Sequence, residues 1–172
     1  MLQRIDNNPR RAHIREALFV LAESKDMLSH KELAAVQQLP LTEIHLVIEA
    51  IREFLHGSAD GEKHSLFHES LREFLIASYP DQLPAARQRL IEFCGKWDDG
   101  VSAYGLMHYG KHLLESGRHQ ALVELALNET YIAKQTEVFQ SVEPSLQLVS
   151  LAMESAVSIP NEAADIRLAA QG

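Results

Sequence analysis

Nine histidines in 172 residues invite a metal-binding reading. His108 and His112 stand at i and i+4, a spacing that puts both imidazoles on one face of a helix and within reach of a single ion. The glutamate of the zinc-protease helix is missing beside His108, and no third ligand is evident, so no metal is assigned. His64 and His68 are also four apart, but a strand-to-helix junction is expected between them, and it removes their common face. The single cysteine, Cys94, follows Leu90, Ile91 and Phe93 in an apolar helical run with no histidine and acid at useful spacing. A thiol nucleophile needs such partners, and a cysteine without them packs as a small apolar residue. Hydrolysis of ATP or GTP needs a Gly-x-x-x-x-Gly-Lys-Ser/Thr loop whose backbone N–H groups cradle phosphate, and none of the eight glycines is so arranged. The chain is therefore expected to carry no catalytic residue, no metal and no cofactor of its own.

The elements that position these residues read as helices. Ile14, Ala17, Leu18 and Leu21 fall at i, i+3, i+4 and i+7, one stripe of a helix over 13–23. Ser29 and Glu32 form a Ser-x-x-Glu capping box that opens a short helix to Gln37. After Pro40, the apolar residues Ile44, Val47, Ile48, Ile51, Phe54 and Leu55 predict a third helix, running until Gly57 stops it. A polar turn over 57–63 precedes a short strand over 64–67. A helix from Glu69 follows, ending at Tyr79 because Pro80 disfavours helical geometry in the residue before it. This order predicts a mainly α protein with a winged-helix-like domain over 1–80 and one short β wing.

Beyond Pro84, helices are separated by Asp98-Asp99-Gly100, Ser116-Gly117-Arg118, Asn128-Glu129-Thr130, Glu143-Pro144 and Pro160-Asn161. Short connections make antiparallel neighbours, so 81–172 is expected to be an α-helical repeat, solenoid-like array. Its last helices, from Ser145 and from Asn161, carry Leu146, Val149, Met153, Ile166 and Leu168, and the array is expected to be cut at Gly172.

A hydrophobic fraction of 46% with 23% charged residues is that of a chain able to bury a core. One cysteine forms no internal disulfide and no signal-peptide pattern opens the chain, so a cytoplasmic location is expected. Apolar stretches are cut by charges such as Glu16 and Glu23, leaving no candidate for the roughly 20-residue span of a bilayer. A net charge of −8 disfavours phosphate backbones. A winged helix commonly lays its third helix in the DNA major groove, but Glu43, Glu49 and Glu53 outweigh Arg52 there, and the basic pair Arg10-Arg11 precedes the first helix. No nucleic-acid or membrane partner is expected.

Two segments carry a family resemblance. The run from Leu66 to Leu75, with Phe67-His68-Glu69 followed by Ser70-Leu71 and Phe74-Leu75, resembles the end of the winged-helix domain in STAND-class P-loop NTPases of the NACHT and NB-ARC type. Those proteins commonly carry Met-His-Asp at that point. The stretch from Tyr104 through His112-Leu113 to Gly117 is similar to their first helical-repeat helix. The likeness covers 13 to about 135 and lacks the P-loop core, which would lie upstream. It implies a regulatory segment of a signalling NTPase that couples nucleotide state to partner or sensor domains. It also implies that His68 contacts the β-phosphate of ADP in the full-length protein, with ADP or ATP bound only when the upstream core is present. The partners expected on this basis are that core, a downstream repeat or sensor domain, and self-association. The competing expectations are a winged-helix DNA-binding regulator and a free-standing α-solenoid adaptor.

Overall fold

A computed structural model describes residues 8–99 and 102–158. Among these residues the chain is mainly helical with one small three-stranded antiparallel sheet. It packs as two compact units, 1–108 and 109–172. The division falls within a helix, downstream of the 80/81 boundary read from sequence punctuation. Residues after 80 join the first unit because the helix Leu83–Cys94 packs on the first helix.

Helix α1 (Arg11–Glu23) buries the expected stripe of Ile14, Ala17, Leu18 and Leu21. Strand β1 is only Leu28–Ser29, and α2 (His30–Gln37) starts directly from it. The Ser29 capping box forms as read: its Oγ accepts from Glu32 N–H at 3.2 Å, and the Glu32 carboxylate accepts from Ser29 N–H at 2.8 Å. Helix α3 (Leu41–Ile51) turns Ile44, Val47, Ile48 and Ile51 inward. It does not reach Gly57. A 3-10 turn over Arg52–Phe54 unwinds it, and Leu55–Gly57 becomes β2. Periodicity cannot separate the end of an apolar helix from a short strand, and here the β-pairing of Leu55 with Leu66 decides.

Strand β3 (Lys63–Leu66) lies between the other two, in the order β1-β3-β2, with Leu28 opposite His64 and His56 opposite Ser65. The hairpin loop over 58–62 needs Gly61, whose φ of 71° lies in the left-handed region. Asp60 supports the loop by accepting from Ser58 Oγ and Glu62 N–H, and the Ser58 bond holds its carboxyl below the usual range. Helix α4 (Glu69–Ser78) has the bounds expected of it.

Helix α5 (Leu83–Cys94) carries Pro84 in its first turn and packs along α1. Arg87 grips the buried Glu23 with two bonds, at 2.7 and 3.0 Å, and Arg89 pairs with Glu16. Helix α6 (Ala103–Glu115) begins in the first unit, where Tyr104 Oη accepts from Lys25 N–H.

In the second unit, α7 (His119–Ala126), α8 (Glu129–Phe139) and α9 (Glu143–Ser158) follow through short turns. Asn128 caps α8 by accepting from Tyr131 N–H, and Ser145 Oγ donates to Gln135 Oε1 in the interior. The outer face of α9 leaves Leu146, Val149 and Met153 exposed. The helix expected from Asn161 lies outside the described residues. No described helix is long and apolar enough to cross a membrane.

Candidate functional site

His68 is the N-cap residue of α4, with extended backbone (φ −115°, ψ 128°) and no side-chain hydrogen bond to the helix it starts. Its ring is exposed, at the point where β3 ends and the helix turns away. Free N–H groups and the helix dipole give such a position positive character, and an imidazole N–H adds a donor.

The sequence suggests that Phe67 points into the core against Leu71 and Phe74, and this is corrected. Phe67 is 56% exposed and Phe74 45%. Instead, Phe67 stands beside His68 in a T-shaped contact at 4.3 Å and lies 6.3 Å from the His56 ring, making an exposed aromatic row. Phe67 lies just past β3, in the bend between that strand and α4, where its N–H donates to Phe54 O at 2.8 Å and its side chain stays on the surface. The core contact of α4 comes from Leu75, which is 1% exposed.

Cys94 is fully buried, and burial pushes its thiol up to about 12, so almost no thiolate exists at neutral pH. His108 and His112 are both buried on α6. His108 packs against the Tyr104 ring and its Nε2 lies 3.8 Å from Asp26 Oδ2. Among the described residues no group of three or more His, Cys, Asp or Glu side chains is arranged to hold a metal ion. Arg10, half of the basic pair before α1, is engaged by Glu43 of α3 at 2.8 Å, and this bond holds the Glu43 carboxyl below its usual range.

Two arrangements escaped the sequence reading. His119 Nδ1 lies 2.6 Å from Ser155 Oγ, a serine–histidine pair by composition. Ser155 is 1% exposed, so an acyl substrate could not reach it, and the bond serves to tie α7 to α9. The other is a histidine cluster in the first unit. His30 Nε2 meets His64 Nε2 at 2.8 Å, and the His45 ring stands edge-on to His30 at 4.8 Å. His30 and His45 line a cleft of about 640 Å³ with Lys31, Glu32, Glu62 and Lys63. No local motif joins positions 30, 45 and 64; β1–β3 pairing and the α2–α3 packing bring them together.

The chain matches no family model, no curated protein and no solved structure.

Proposed function

We propose that this chain is a non-catalytic regulatory and protein-interaction segment of a STAND, NACHT-type signalling NTPase. In this reading residues 1–80 are winged-helix-like and 81–172 form the start of a helical-repeat array. Together they pass the nucleotide state of an upstream P-loop core to a downstream repeat or sensor domain. Three helices, a β-hairpin and a fourth helix in that order are in keeping with the winged-helix expectation.

The observation that carries the reading is the placement of His68. It ends a strand and begins a helix, its ring is exposed, and no side-chain bond to its own helix commits it locally. A phosphate held by a docked core would meet the imidazole together with the first N–H groups of α4, the arrangement that favours anions at helix starts. Phe67 beside it offers that core an apolar contact. This chain contributes only the imidazole and the first N–H groups of α4 to the nucleotide and the core contributes the rest, so ADP binds the segment alone weakly or not at all.

The test is His68→Ala in a protein that joins this segment to its P-loop core. ADP release becomes faster and basal signalling rises, while the segment alone loses about 1 kcal/mol or less, as expected for an exposed group without a cap bond. Unchanged ADP release would refute the nucleotide-sensing role.

A further inference from the structure

The β2–β3 hairpin meets the start of α2 through one backbone bond and one side-chain bond. His30 N–H donates to Glu62 O at 3.2 Å, and the Nε2 atoms of the His30 and His64 rings lie at hydrogen-bond distance, 2.8 Å apart. The two rings lie within 16° of parallel with their centroids 4.8 Å apart. Both side chains are half-buried.

An N···N contact this short needs one ring to donate its Nε2–H and the other to accept with its lone pair. Two neutral imidazoles in opposite tautomers meet that need. A single added proton also leaves one donor and one acceptor, now charge-assisted. A second proton makes both Nε2 atoms donors and puts two positive charges at hydrogen-bond distance, so the bond cannot persist. We propose that the His30–His64 pair is a proton-operated latch, closed on the hairpin while at least one ring is neutral and open when both rings are protonated.

The surroundings set where the latch works. Burial, followed by the charge of His45, makes His30 harder to protonate than a free histidine, while Glu62 from the hairpin loop opposes this. Burial, then His30, then Arg52 act in the same direction on His64. Lys31 and Lys63 line the same cleft and add positive charge, and the carboxylate of Glu32 is already occupied by Ser29 and by Ser102 Oγ at 2.6 Å. With both rings pushed below the ordinary histidine value of 6.5, the unfolded or released state takes up protons first. The latch is therefore closed above about pH 6.5, stays closed through the first protonation, and opens at lower pH as the second ring takes its proton. The rings take up their protons in two separate steps, the first charge opposing the second, and release follows the second.

Amide hydrogen exchange on the whole chain at pH 7.5 and 5.0, corrected for intrinsic rates, tests this. The His30 amide reports the latch, Ser58 N–H bonded to Lys63 O reports the hairpin itself, and Leu18 and Leu21 report the core. At pH 5.0 the His30 amide loses about tenfold in protection, as for one lost hydrogen bond, while the other three hold. A His30→Asn/His64→Gln variant, with a neutral pair that cannot titrate, shows no such pH difference at position 30. Equal protection of the His30 amide at both pH values overturns the proposal, as do parallel losses in the core or a response that survives in the double variant. A second measurement needs no variant: ring nitrogen shifts at pH 7.5 give opposite Nε2 states for the two histidines, and identical tautomers would refute the latch.

Discussion

Gly105 and Gly110 occupy the same helix, and their replacement by alanine is expected to have opposite effects. In a helix interior, alanine is better than glycine by roughly 0.8–1 kcal/mol, because glycine loses more backbone freedom on folding. A Cβ on Gly105 would lie 3.5 Å from Cys94 Cα, an ordinary contact, so the propensity gain survives. A Cβ on Gly110 would lie 2.6 Å from Leu148 Cδ1 and 3.4 Å from Leu122 Cδ1. Leu148 is 4% exposed and Leu122 0%, so the Leu148 methyl must retreat by about 1 Å inside packed surroundings to restore a normal carbon separation. Overpacking of this kind costs roughly 1–3 kcal/mol, which outweighs the propensity gain. Gly110→Ala should therefore lose about 1 kcal/mol, and Gly105→Ala should gain about 0.5–1 kcal/mol. In thermal melts of a chain this size, each kcal/mol moves the midpoint by roughly 2–4 °C. Adding Leu148→Val to Gly110→Ala should recover part of the loss, since it shortens the obstructing side chain. A Gly110→Ala protein as stable as the parent, or more so, would refute the close approach of α6 and α9 on which the calculation rests.

Arg87→Met leaves Glu23 buried at 4% exposure without its bidentate partner. The expected loss in urea titrations is about 2–3 kcal/mol, at or below the low end for a broken buried pair because Arg87 itself is one-third exposed. Cys94 should react with a disulfide reagent at pH 8 only after denaturant is added, and native labelling within minutes would contradict its burial. Leu146→Glu and Met153→Glu should each shift stability by less than about 0.5 kcal/mol, as both side chains are more than half exposed. A large loss in either would show that the outer face of α9 is covered in solution.

What the sequence made legible was set by local signals. The capping box at Ser29 and Glu32, the stripe of α1 and the bounds of α4 at Glu69 and Tyr79-Pro80 each depend on residues within one or two turns. The end of α3 differs from the reading because Phe54 and Leu55 continue its spacing, while Phe54 falls in a 3-10 turn and Leu55 pairs with Leu66 eleven residues on. Strand β1 has two residues, too few for any alternation to appear. At the site, the junction that places His68 was readable from the turn before β3 and the helix after it. The outward turn of Phe67 was not, because Phe67 lies in the bend after the last paired residue of β3, where neither strand nor helix periodicity applies. The His30–His45–His64 cluster joins three elements, and only the fold brings its members within contact.

The claim that this segment senses nucleotide state is tested most directly by ADP release. Fluorescent ADP is loaded onto a protein in which this segment follows its P-loop core, and its release is compared between the parent and His68→Ala. The account predicts faster release from the variant, with an isolated segment that melts as the parent does to within about 1 kcal/mol. Identical release rates, or a His68→Ala segment that fails to fold, would contradict it.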